Sequence, residues 1–143
     1  MSSADEVARR CAEALREDDR VAADLGMEVS GVAQGRATVR MTVTPAMVNG
    51  HGLAHGGYLF LLADTAFAYA CNTHDRVTVA AAADIVFAAP AYEGDVLEAV
   101  AAERHRFGRS GVYDVTVRRV SDETVIAEFR GTSRSREQRL LPE

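Results

Sequence analysis

The chain has 143 residues, 48% hydrophobic and 26% charged, enough for one folded domain with a substantial core and unlike a disordered or fibrous composition. Its net charge of −5 argues against nucleic acid as the main partner, and all 16 basic residues are Arg, so any phosphate would be met by planar guanidinium groups. No leader segment or adequate membrane span is expected. Cys11 and Cys71, isolated among apolar residues, read as free thiols of a reducing cytoplasm.

Ser3 to Arg16 reads as a short amphipathic helix. Ser3 with Glu6 fits a capping box, and Val7, Cys11, Ala14 and Leu15 make a narrow apolar stripe for packing outside a sheet. A second helical turn, Val21 to Leu25, stops at Gly26. Met27 to Val43 reads as a hairpin turning at Gly35, because Ala37, Val39, Met41 and Val43 alternate with Arg36, Thr38, Arg40 and Thr42. Pro45 ends it, and a loop over 45–55 carries Asn49-Gly50-His51-Gly52 to the next element.

Gly56 to Cys71 is the stretch around which the chain is organised. It is rich in Leu and Ala, lacks strand alternation and carries one charge, Asp64. At 16 residues with a central carboxylate it is too short and too polar to span a bilayer, so it is expected as a core helix. Asn72 to Arg76 is a polar turn, with His74 expected at the surface. Val77 to Ala89, nearly all apolar, is expected as a central strand. Val96 to Phe107, the alternating residues after Gly108-Arg109-Ser110-Gly111, and Thr124 to about Arg134 complete a set of strands. Their connections are too short for parallel crossovers. The predicted architecture is α+β, an antiparallel sheet curled round one buried helix, with residues 135–143 as a frayed tail.

Asp64 is the anomaly. One turn away stand Phe60, Leu61, Phe67 and Ala68, and a carboxylate among them is costly unless it is bonded, for example to Thr65, or opens onto a pocket. At the helix start, Gly56-Gly57 would leave N–H groups free at the positive end of the dipole, a socket for a carbonyl oxygen gaining charge. Gly56 and Asp64 lie eight residues apart, roughly 12 Å along one helix. A base and a socket acting on one carbon must be closer. If Asp64 is catalytic, the two groups come from two antiparallel copies of the helix.

Other chemistries find little support. His51 and His55 have metal-pair spacing, but Gly52 interrupts them and no third ligand follows, so no metal is expected. There is no Gly-x-Ser-x-Gly elbow, and Cys71 has no evident His partner. Gly108-Arg109-Ser110-Gly111 lacks a phosphate-loop context and reads as a hairpin turn. Arg104, Arg106, Arg109, Arg130 and Arg134 could meet an anion or simply be solvated.

Asn49-Gly50-His51-Gly52-Leu53-Ala54-His55-Gly56-Gly57, followed by Leu62-Ala63-Asp64-Thr65-Ala66-Phe67-Ala68-Tyr69-Ala70-Cys71-Asn72, closely resembles the hotdog-fold acyl-CoA thioesterases. The nearest group is the phenylacetic-acid-degradation, or PaaI-type, family, and the likeness extends from about Val21 to Arg134 through Gly111-Val112-Tyr113-Asp114 and Phe129-Arg130-Gly131. The resemblance implies the hotdog fold, a sheet wrapped round a long helix, and hydrolysis of an acyl-CoA thioester with no cofactor beyond the CoA of the substrate. It makes Asp64 the general base or nucleophile, Gly56 N–H the carbonyl polariser and Asn49 a holder of the reacting groups; His55, abutting the glycines, reads from its position as a loop or leaving-group contact. It places substrate and CoA near Gly57, near Phe87, Ala88, Ala89 and Pro90, near Gly108, Arg109, Ser110, Gly111 and Val112, and near Arg134. It also implies a homo-oligomer, commonly a dimer of dimers. One departure is Ala80-Ala81-Ala82-Ala83, where some relatives carry a Ser or Thr that orients the attacking water. Two alternatives remain: an acyl-thioester hydratase or dehydratase pairing His55 with Asp64, and a non-catalytic acyl-CoA binding module.

Overall fold

The computed structural model describes residues 2–142. Helix α1 (Ser3–Asp18) and the short α2 (Arg20–Asp24) lead into β1 (Glu28–Ala33) and β2 (Arg36–Thr42). After a 3-10 turn at Pro45–Met47 come α3 (Gly56–Cys71), β3 (Thr78–Phe87), β4 (Val96–Phe107), β5 (Ser110–Arg119) and β6 (Val125–Ser135). The strands form one antiparallel sheet in the order β1-β2-β4-β5-β6-β3. Among the described residues, no helix is long and apolar enough to cross a membrane.

α3 lies against one face of the sheet, and that contact is the core. Leu59, Leu62, Ala63, Ala66, Phe67 and Ala70 are buried against inward residues such as Val39, Ala99, Val115, Val117 and Phe129. Phe67 packs on Tyr113 and Phe129, with ring centroids 5.6 and 5.8 Å apart. Beneath its ring lies Gly131, where an added Cβ would stand 2.8 Å from two ring carbons. Tyr69, also buried, sends its hydroxyl to Asp19 at 3.0 Å and so ties α3 to the start of α2.

Four expectations are corrected. The N-cap of α1 is Ser2, whose hydroxyl accepts from Asp5 N–H at 3.1 Å, not Ser3; the capping signal was one residue out of register. β3 is an edge strand, not a central one, and Val79, Val86 and Phe87 are exposed along it. His74 is not a surface residue; its side chain is 10% exposed and its Nε2 meets Glu103 at 2.7 Å. The tail does not fray over its described residues. Val77 exchanges backbone bonds with Gln138 and Arg136, and Leu141 is buried. Asp75 holds this tail, accepting from Arg139 Nε at 2.7 Å and Leu141 N–H at 2.8 Å. Burial pushes the Asp75 carboxyl up, but those donors outweigh it and hold the group below its ordinary value.

Gly131→Ala is expected to lower stability by about 2 kcal/mol, because the Phe67 ring is fixed on its other sides by Tyr113 and Phe129. Urea unfolding checks it, and an unchanged midpoint would contradict this packing.

Candidate functional site

The start of α3 is built by its own cap. His55 is extended, and its Nδ1 accepts from Gly57 N–H at 3.0 Å. Since Nδ1 accepts, the neutral ring carries its proton on Nε2. Tyr58 and Leu59 N–H go to the His55 carbonyl at 2.9 and 3.4 Å. Among the described residues Gly56 N–H has no partner, as a first-turn amide lacks one within the helix. The cap therefore uses the other first-turn donors and leaves Gly56 free. Gly57, expected as a substrate contact, is committed to the cap.

The loop before the helix is equally fixed. Asn49 Oδ1 accepts from His51 and Leu53 N–H, at 2.9 and 3.2 Å. An atom that accepts twice from backbone amides is the oxygen, so the amide nitrogen is the free end, and it has no partner among the described residues. Asn49 and Gly56 line one cleft of about 450 Å³, together with Leu53, Leu59 and the run Phe87, Ala88, Ala89, Pro90. The Phe87 ring lies across the helix start; a Cβ on Gly56 would meet its Cζ at 3.0 Å. Six of the sequence-derived site residues thus converge on this cleft.

Asp64 stands two turns further along α3. Thr65, an expected partner, instead donates to the Leu61 carbonyl at 2.7 Å. The Asp64 carboxylate has no hydrogen-bond partner among the described residues, and burial pushes its pKa above the ordinary carboxylate value. It is only partly buried: Gly57, Phe60, Leu61, Asp64 and Ala68 form the one stripe of α3 that the sheet leaves accessible. Asp64 does not line the cleft at its own helix start.

A second cleft, about 210 Å³, opens beyond the C-terminal end of α3. Gly108, Arg109 and Ser110 line it, beside Arg76, Arg106, Ser133, Ser135 and Arg136. Gly111 is buried beneath it, since a Cβ there would meet Tyr113 at 2.8 Å and Ser133 Oγ at 3.0 Å, so its role is close packing. Arg134, paired across the sheet with Ser110 on β5, and Val112 do not line this cleft. Arg130 and Arg104 are paired with Asp114, which their guanidinium groups hold below its usual value. Cys71 borders the cleft, but burial pushes its thiol up to about 12, which excludes a resting thiolate. The sequence gives no sign that His74, Tyr113 and the tail residues Arg136 and Glu137 line this cleft, or that Glu103 bonds His74 and Tyr113 behind it. No spacing in the sequence links them, because the sheet and the docked tail bring them together.

The family model of the thioesterase superfamily matches residues 51–126, from the loop before α3 into β6. The chain is 48% identical over 122 residues to the acyl-coenzyme A thioesterase PaaI of Escherichia coli K12, covering 85% of this chain and 86% of that protein. The solved structure of the PaaI protein from the E. coli phenylacetic acid degradation operon superposes with a TM-score of 0.93 at 42% identity, over 96% of this chain and 99% of that one. A variant of the phenylacetic acid degradation protein PaaI from Thermus thermophilus gives a TM-score of 0.77 at 35% identity, over 81% of this chain and 98% of that one. The sheet wrapped round α3 is the hotdog fold. With its fold, its motif and its sequence in agreement, the chain belongs to the thioesterase superfamily.

Proposed function

We propose that the protein is an acyl-CoA thioesterase that hydrolyses phenylacetyl-CoA, hydroxyphenylacetyl-CoA or a similar aryl- or acyl-CoA to the free acid and CoA, in a cytoplasmic homo-oligomer. One observation carries the reading: α3 bears an unpaired donor, Gly56 N–H, and an unpaired acceptor, the Asp64 carboxylate, eight residues apart. The class of substrate is supported by the relatives, whose names give acyl-coenzyme A thioesterase and phenylacetic acid degradation.

Two copies resolve the distance. The free edge of β3 can pair with the β3 edge of a second copy, covering Val79 and Val86 and setting two α3 helices antiparallel. Each Asp64 then faces the other copy's Gly56 and Asn49. In that site Gly56 N–H and the Asn49 amide donate to the thioester oxygen, stabilising the charge that develops during attack. Asp64, ionised, either takes a proton from a water whose oxygen bonds the carbonyl carbon, the proton then passing to the departing CoA sulfur, or attacks the carbon itself. Direct attack expels CoA as the thiolate and leaves a mixed anhydride that water cleaves to the free acid and Asp64, a water proton completing the CoA thiol. The Arg-lined second cleft suits the CoA phosphates, and two such dimers would make the tetramer. A hydratase would need His55 as a base, yet Nδ1 already accepts from Gly57 and Nε2 carries the proton.

Asp64→Asn is expected to lower kcat on phenylacetyl-CoA by a factor of about 100 or more in a thiol-release assay, and full activity would end the reading. Oxygen-18 in the Asp64 carboxylate after one turnover in labelled water would mark direct attack, and its absence water attack. Wild-type turnover should fall with acidification through a pKa above the ordinary carboxylate value.

The same substitution should stabilise the fold. A group whose native pKa is raised penalises folding above its unfolded pKa, and the penalty disappears below it. Asp64→Asn should therefore raise the urea midpoint at neutral pH, and the gain should vanish once the pH falls below the ordinary carboxylate value.

Mixing inactive variants tests the shared site. Co-expressed Asp64→Asn and Asn49→Ala chains should regain part of the activity, because one site of each mixed dimer has both groups intact. A mixture as inactive as its parents would exclude a site built from two chains.

A further inference from the structure

The wall of the second cleft contains an ordered polar chain that the hydrolytic steps do not use. Three side chains approach one oxygen of Glu103: His74 Nε2 at 2.7 Å, the Tyr113 hydroxyl at 2.8 Å and Arg106 Nε at 4.0 Å. Arg106 Nη1 in turn meets His74 Nδ1 at 3.3 Å. A guanidinium has no lone pair to offer, so His74 Nδ1 is the acceptor and the neutral ring donates through Nε2 to Glu103. The direction of every proton is thereby fixed. Arg106 is 4.0 Å from the carboxylate, beyond hydrogen-bond range, and keeps donors for a ligand.

The backbone is shaped for this contact. On a regular strand, residues 103 and 106 would point to opposite faces. The register of β4 shifts between Glu103 and His105, so Glu103 pairs with Tyr113 and Arg106 with Gly111, two residues apart on β5 and therefore on one face. Glu103 is also seated against Gly35, where a Cβ would stand 2.9 Å from its own, and Glu103 N–H bonds the Gly35 carbonyl at 2.8 Å. Gly35 N–H bonds Thr73 Oγ1 at 2.8 Å, which fixes the turn that carries His74. The neighbouring cations differ. Arg109 is paired with Glu137 at 2.6 Å and Arg76 is turned to the Asp75 carbonyl at 2.8 Å, while Arg136 has no side-chain partner among the described residues and no group that orients it.

We propose that Glu103 and His74 are positioning residues that aim Arg106 at a phosphate of the CoA carrier, so that the enzyme favours nucleotide-bearing thioesters over phosphate-free ones. This rests on the acyl-CoA reading of the site. The relay transfers no proton and makes no covalent bond; it spares Arg106 the ordering cost of holding one rotamer when the phosphate arrives.

Calorimetric titration with CoA tests it without turnover. Arg106→Gln should weaken CoA binding about tenfold, as expected for loss of one charge-assisted phosphate contact. His74→Ala should weaken it nearly as much, His74→Gln should restore most of the loss, and the Arg106→Gln/His74→Ala double variant should be no weaker than Arg106→Gln alone. In kinetics, the ratio of kcat/KM for phenylacetyl-CoA to that for phenylacetyl-N-acetylcysteamine should fall about tenfold in His74→Ala. A residue that merely supported the fold would lower both substrates alike. Wild-type CoA affinity in Arg106→Gln overturns the proposal whatever the His74 variants do. Losses that multiply in the double variant overturn it as well, as does a wild type that binds no CoA. If CoA binds with the expected coupling but no thioester is cleaved, the hydrolase reading fails and the relay stands.

Discussion

A helix that carries an unpaired donor and an unpaired acceptor two turns apart cannot bring them together. Gly56 N–H and the Asp64 carboxylate are fixed to one rigid α3, and eight residues of helix hold them roughly 12 Å apart whatever the surroundings do. The rest of the fold is arranged around that separation. The sheet buries Leu59, Leu62, Ala66, Phe67 and Ala70 and leaves the Asp64 stripe open. Had the sheet closed over that stripe, Asp64 would need a donor from its own chain, and Thr65 is already committed to the Leu61 carbonyl. An unpaired carboxylate is destabilising, so its persistence on this helix is a cost the fold offsets elsewhere.

The loop before α3 solves the complementary problem of keeping one donor free. A helix start has several unpaired amides, and a ligand oxygen needs only the correctly placed one. His55 takes Gly57, its carbonyl takes Tyr58 and Leu59, and the Asn49 oxygen takes His51 and Leu53. Gly56 N–H and the Asn49 amide group remain, and both border the same cleft. The glycines divide this labour. Gly56 admits the Phe87 ring, Gly57 lies against the capping imidazole, and Gly131 admits the Phe67 ring that holds α3 in place.

Local pattern made much of this legible. The bounds of α3 follow from its composition and flanking turns, the β1-β2 hairpin from alternation about Gly35, and the anomaly of Asp64 from its neighbours. What stayed hidden depends on contacts distant in sequence. His74 was expected at the surface because its own turn is polar; Glu103, 29 residues later, draws it in. The tail carries no core signal, yet one buried carboxylate, Asp75, gathers Arg139 and the Leu141 amide and docks it. Spacing alone reads Gly108–Ser110 as a plain turn, so only the family likeness pointed there, and Arg106 stayed undecided between an anion and solvent because a one-residue slip in β4 decides which face it takes.

The misplacement of β3 is the instructive error. Its near-unbroken apolar run is the pattern of a strand with neighbours on both sides, and the single chain supplies a neighbour on one side only. Sequence pattern records the environment a strand is built for, not the chain that provides it. An exposed edge carrying Val79, Ala81, Ala83 and Val86, with Asp84 its one charge and one register shift between Ala80 and Ala82, is a poor edge for a monomer, which would protect it with charges or Pro along its length. The same strand is an ordinary central one if a second copy pairs with it. That pairing would cover the strand and also set two α3 helices side by side, so the feature that misled the reading of one chain supplies the physical reason for proposing two.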